Sequence, residues 1–206
     1  MEKLPFDLTG IDVDDVQALE NCYQALKARF RVAIAEDSTF DIGQFDAFGG
    51  YGNLSVGGSL LIDHPESGCY LTFVKVLTRI PGGRGEWLKY YKYQVWACAT
   101  LRSDFGRMVI RRETVVDKIL DLVHPTEMHF KDDPVFSRKF CVIADDREKA
   151  SHAMTKAFRN ILMEIRTDDF AIEIVGSSLV IGNTHAIDPK GIVYLAEIAG
   201  KLSRVK

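Results

Sequence analysis

The chain has 206 residues, 47% of them hydrophobic and 27% charged, with 26 Lys plus Arg against 29 Asp plus Glu for a formal net charge of −3. That length and balance suit a soluble globular domain with a sizeable core and exclude a mainly disordered chain. A near-neutral chain is not built for bulk electrostatic capture of nucleic acid, so there is no strong nucleic-acid signal.

Residues 1–12 read as a short polar lead, with no basic region followed by an apolar stretch. No segment approaches the ~18 consecutive apolar residues that span a bilayer. The expectation is a cytoplasmic protein without a transmembrane segment, with residues 13–206 forming a single domain. Over 13–30, Val16, Leu19, Tyr23, Leu26 and Phe30 recur at three- and four-residue steps, which predicts an amphipathic helix. Asp14 and Asp15 complement its dipole. Val32 and Ile34 then alternate as a short strand. Residues 41–58 crowd Gly43, Gly49, Gly50, Gly52, Gly57 and Gly58 among Phe45, Phe48 and Tyr51. They read as a loop held down by aromatics, leading into a strand over 59–63 and a turn over 65–68.

The runs 70–80 and 88–101 are rich in β-branched and aromatic residues, and Pro81-Gly82-Gly83-Arg84-Gly85 separates them. They predict a long antiparallel hairpin, about 70–101, with one face packed on a helix and the other partly covered. A short strand over 107–111 and a short helix over 114–123 follow, the helix ended by His124-Pro125. Residues 136–144 read as a strand. Asp145 with Glu148 forms a capping-box pattern, and an apolar stripe from Ala150 to Ile165 predicts one continuous helix over 146–166. A tight hairpin over 170–181 turns at Gly176-Ser177. Asp188-Pro189 opens a last helix over 189–203, with Ile192, Leu195, Ala196, Ala199 and Leu202 on its buried face. The order lacks the regular strand–helix alternation of a parallel sheet. The expected fold class is α+β: a mainly antiparallel sheet packed by helices over about 13–30, 146–166 and 189–203.

The stretch Phe136-Ser-Arg-Lys-Phe-Cys-Val-Ile-Ala-Asp-Asp146, followed by Ala150, Met154 to Phe158 and Leu162, fits the pattern F-x-R-x-F-x-V-x-x-D-D. In that pattern it resembles a family of uncharacterised bacterial proteins, a domain of unknown function. Upstream, residues 28–31, 45–58 and 70–101 are similar to that family's helix end, Gly-rich segment and long hairpin. The resemblance implies helix, hairpin, helix after the pattern and assigns no catalytic residue. Many members carry an N-terminal membrane anchor; this chain shows only its polar lead there.

Chemical motifs fare poorly. The Gly cluster lacks the Lys-Ser/Thr of a phosphate loop and the G-x-G-x-x-G spacing of a dinucleotide site. His124-Pro-Thr-Glu127-Met-His129 has the wrong spacing for a helical zinc motif, and Pro125 breaks the helix. Asp63, His64 and Cys69 form a loose cluster around a turn. Cys22, Cys69, Cys98 and Cys141 are too scattered for a dithiol or metal knuckle and read as buried free thiols. The pairs Asp132-Asp133 and Asp168-Asp169 sit beside turns, where capping and solvation explain them. Gly176-Ser177-Ser178 is a hairpin turn rather than a nucleophile elbow. No pattern calls for a cofactor or a metal.

The tip of the long hairpin stands above this background. Arg79, Arg84, Lys89 and Lys92 surround Trp87, Tyr90, Tyr91 and Tyr93. Rigid rings beside directed cations are typical of binding surfaces, although rings that cover a sheet while cations snorkel at its edge read the same way. Arg107, Arg111 and Arg112 extend the patch if their strand lies adjacent. The expectation is a non-enzymatic binding or regulatory domain that contacts a protein or membrane-proximal partner through Arg79, Arg84, Trp87 and Tyr91. The alternative is a small hydrolase with its site near the Gly-rich loop and His64. Nothing in the sequence fixes an oligomeric state.

Overall fold

Alternating apolar residues build an eight-stranded sheet in a computed structural model of the chain. The structure describes residues 4–35, 40–49, 54–63, 68–81, 86–112, 127–167, 170–182 and 188–205, with backbone alone at 78–81 and 88–89. The strands are β1 (Arg31–Ile34), β2 (Leu54–Asp63), β3 (Cys69–Pro81), β4 (Trp87–Thr100), β5 (Arg107–Arg112), β6 (Phe140–Ala144), β7 (Ala171–Val175) and β8 (Ser178–Gly182). Their spatial order is β1-β2-β3-β4-β8-β7-β5-β6, and every neighbouring pair is antiparallel. The β7–β8 hairpin therefore lies between β4 and β5, which the chain makes one after the other. The fold class is α+β, as the order of predicted elements implied.

The helices are α1 (Val13–Arg29), α2 (Pro134–Lys139), α3 (Arg147–Ala153), α4 (Lys156–Glu164) and α5 (Pro189–Arg204). Leu19, Cys22, Tyr23 and Leu26 of α1 and Ile192, Ala196, Ala199 and Leu202 of α5 join the main core with Leu60, Leu71, Phe73, Val95 and Ala97 of the sheet. Under α3 and α4 the same core continues through Ala150, Met154, Phe158 and Leu162 onto Met108, Ile110, Ile172 and Ile174. The opposite face of the sheet carries a second cluster. Phe40, Phe45 and Phe48, which lie before, between and within two short 3-10 turns (Ile42–Gln44 and Asp46–Phe48), pack on Val74, Val76, Trp96, Cys98 and Val180. Phe45 and Phe48 thus hold the loop down, as the sequence reading expected, and the face they cover is the second face of the sheet.

Three boundaries differ from the sequence reading. First, the expected strand over 136–144 is helix α2 followed by β6. Asp133 accepts a hydrogen bond from the Phe136 amide and Pro134 opens the helix, so a local cap overrides the apolar alternation. Second, the continuous helix over 146–166 is two helices. Thr155 accepts from the Phe158 amide and starts a new helix, while Met154 leaves the helical region at φ −75°, ψ 52°. The cap of α3 is Asp146, which accepts from the Lys149 amide; Asp145 accepts from the Arg107 amide instead. Third, β2 begins at Leu54 rather than at 59, with a register shift between Val56 and Gly58. The expected helix over 114–123 lies outside the described residues. So do the turn residues 65–67 and 82–85, together with His64, His124, His185, Tyr51, Asp168 and Asp169.

Candidate functional site: the end of the long hairpin

The β3–β4 ladder runs from Tyr70↔Cys98 to Pro81↔Trp87. On one side β2 first pairs at Leu54↔Val76, and on the other the β8 ladder stops at Trp96↔Gly182. Among the described residues neither β2 nor β8 pairs with the five rows from Leu77↔Tyr91 to Pro81↔Trp87, the arm. At ~3.4 Å per residue the four steps between those five rows span roughly 14 Å. An isolated two-stranded ribbon is marginal in water, so an arm of this kind needs a rigid root.

The root is made by residues 4–11, which lie against the helix-facing side of the hairpin as a strap. Phe6 is buried against Tyr23, Phe73 and Tyr93. The Asp7 amide donates to the Gly57 carbonyl of β2 at 2.8 Å, and the Tyr93 hydroxyl donates to the Asp7 carbonyl at 2.6 Å. The Asp7 carboxylate meets the buried Lys75 ammonium at 2.8 Å. The hydrogen bond from Lys75, with lesser ones from Thr9, holds the Asp7 carboxyl down at about 2. Burial, reinforced by the Asp7 charge, pushes the Tyr93 phenol up to about 12. Ile11 then makes a parallel bridge to Tyr91. At φ +73°, Gly10 passes so close to Tyr91 that a Cβ there would lie 2.9 Å from the ring. The strap thus clamps β2, β3 and β4 together at the root of the arm.

The expected site residues fall into different places. Trp87 is 62% exposed near the arm's end. Tyr91, four residues along the same strand and therefore on the same face, is half-buried at the root, with the Lys75 ammonium 4.5 Å from its ring centroid. Tyr90 stands on the other face, with Lys92 at 5.5 Å. Arg79 pairs with Lys89 in the β3–β4 register, and Arg84 lies outside the described residues. The sequence reading missed Asp7 and Lys75. One signal was available: a lysine in the middle of the apolar run 70–80, which must find an anion if it is buried.

The other candidates resolve into structure. Arg107, Arg111 and Arg112 lie on β5, which β8 and β7 separate from β4, so they do not extend the arm's basic patch. Arg107 instead bonds Glu173 and Asp46 at 3.0 Å each, and Arg112 stacks over Phe140 and donates to the Ile165 carbonyl. Asp132 and Asp133 both pair with the buried Arg159. All four cysteines are buried and unbridged, and burial pushes Cys22, Cys69 and Cys98 up to about 12, far from nucleophilic. His129 and His152 are exposed. Among the described residues no three His, Cys, Asp or Glu side chains could hold a metal ion, and no helix is long and apolar enough to cross a membrane. No family model matches the chain, and no curated protein matches it.

Proposed function

We propose that this protein is a non-enzymatic binding module that grips an acidic surface of a protein partner with the end of its β3–β4 hairpin. The observation that carries the reading is the arm itself: a two-stranded ribbon clamped at its root by residues 4–11 and holding an exposed tryptophan. Between residues 78 and 92 the sequence places Arg79, Arg84, Lys89 and Lys92 against one carboxylate, Glu86, in a chain of net charge −3. A cationic, aromatic hairpin end on an acidic body favours an acidic partner and steers its approach. The buried thiols and the structural use of Arg107, Arg159 and the Asp132-Asp133 pair support a binding role over the hydrolase alternative.

The test is affinity capture from the native lysate with the parent protein and an Arg84→Ala/Trp87→Ala variant, at low and raised salt. Trp87 is exposed, so the variant keeps its fold, which circular dichroism checks. A buried interfacial tryptophan typically contributes ≥2 kcal/mol, so a genuine partner binds the variant about 30-fold more weakly. It also binds the parent less tightly as salt rises. Retention of every captured protein by the variant refutes the reading.

A further inference from the structure

A second site lies at the opposite end of β3 from the arm. There the C-terminal ends of α1 and α5 meet the ends of β2 and β3 around a hollow of about 530 Å³. That volume falls within the ~300–1,000 Å³ of small-ligand pockets. Its floor is apolar, made by Phe30, Ile62, Cys69 and Ala196. Among the described residues its rim carries Arg29, Lys201 and Arg204 beside the carboxylate of Glu197. Each helix C-terminus contributes about half a negative charge, which part of this cationic excess offsets. Two ion pairs of the rim, Arg29 to Glu197 at 3.2 Å and Lys201 to Glu164 outside the hollow, are solvent-exposed. Exposed pairs hold weakly, so they can exchange onto an incoming anion. The more open hollow beside it mixes Arg166 and Lys190 with Glu164, Asp188 and Glu197, and has no such cationic bias.

We propose that the hollow between the ends of α1 and α5 binds a small organic monoanion with an apolar body, of the class of a medium-chain carboxylate. The apolar tail lies on Ile62 and Ala196, and the carboxylate meets the Arg29, Lys201 and Arg204 rim. The buried Cys69 thiol serves as apolar floor and forms no covalent bond, since burial keeps it protonated. The site does not involve the arm, so it stands or falls independently of the partner reading.

Octanoate is the probe, with octanol and octylamine as the uncharged and cationic controls, titrated into the full chain by calorimetry and by NMR of the Ile62 and Ala196 methyl groups. The expected result is one saturable site with a Kd below about 1 mM, shifts at those methyls, and clearly weaker binding of both controls. Reversing one rim charge moves the local charge by two units, so Arg29→Glu and Arg204→Glu each weaken octanoate about tenfold. Glu197→Gln tightens it, a change of opposite sign that a merely structural role would not produce. Arg29 is largely exposed, so Arg29→Glu remains informative if Arg204→Glu misfolds. Absence of saturation, equal binding of octanoate and octylamine, shifts confined to other residues, or an unchanged Kd in folded Arg29→Glu overturns the proposal.

Discussion

Replacing Glu173 by glutamine tests what holds the 40–49 segment over the second face of the sheet. Glu173 is buried, and its two carboxylate oxygens accept the Asp46 amide at 2.9 Å and the Ala47 amide at 2.8 Å. The first oxygen also meets Arg107 Nη1 at 3.0 Å, and Arg107 Nη2 donates to the Gln44 carbonyl at 3.0 Å. Glutamine has nearly the same size but one acceptor oxygen. Its amide nitrogen must face either the Ala47 N–H or both the Asp46 N–H and the guanidinium, donor against donor. One charge-assisted hydrogen bond is lost, worth ~1.5–3 kcal/mol, and one donor is left unsatisfied at ~1–3 kcal/mol. The two terms overlap, and the Arg107 part is screened because that side chain is 41% exposed. The expected net cost is about 3 kcal/mol. Urea unfolding at pH 7 measures it. Faster amide exchange across 40–49 and new binding of a hydrophobic dye should accompany it, because the segment covers Val74, Trp96 and Val180. A Glu173→Gln protein within about 0.5 kcal/mol of the parent, the range of an ordinary surface substitution, would show that the aromatics alone hold the segment.

The Asp7–Lys75 latch should fail in acid. The folded Asp7 carboxyl is held at about 2, below the ~3.9 of an unfolded chain. Its contribution is therefore complete above pH ~4 and is lost as pH falls from ~4 through 2. The stability difference between the parent and Asp7→Asn should accordingly be constant near neutrality and shrink over that acid window; a difference that persists at pH 2 refutes the latch. Gly57→Ala should cost ~1–3 kcal/mol by overpacking, because the new Cβ would sit 2.0 Å from the Tyr93 hydroxyl. Gly176→Ala meets no atom within 4 Å yet should cost ~1–2 kcal/mol from its φ of +61°; thermal unfolding compares the two. All four thiols should resist alkylation at pH 8 in the native protein and react in urea, and rapid labelling of any one in the folded state would contradict its burial.

The legibility of the sequence follows how local each signal is. Helices α1 and α5 and the β3–β4 and β7–β8 hairpins were readable because their apolar period, caps and turns all lie within one stretch. The boundaries near 133–140 and 154–156 were misread because one side-chain cap, Asp133 or Thr155, outweighed an apolar pattern that ran through it. For the arm, the exposed Trp87 and its cationic neighbours could be picked out from composition. The strap was read as a polar lead because Phe6 gains its partners only from Tyr23, Phe73 and Tyr93, all distant in sequence. Glu173 has the same history: nothing near it names the amides of Asp46 and Ala47 as its targets.

The insertion of the β7–β8 hairpin between β4 and β5 sets an order of events during synthesis. Strands β1 to β4 can pair as soon as they leave the ribosome, but the outer edge of β4 waits for Ser178–Gly182, about 80 residues later. At ~5–20 residues per second that delay is roughly 4–16 s. Throughout it, the Trp96–Thr100 edge stands open with its backbone donors and acceptors unpaired, the kind of template that recruits a wrong strand. A nascent chain stalled between residues 100 and 178 should therefore be the species that chaperones hold, and the finished protein should refold slowly for its size because its central pairing closes last.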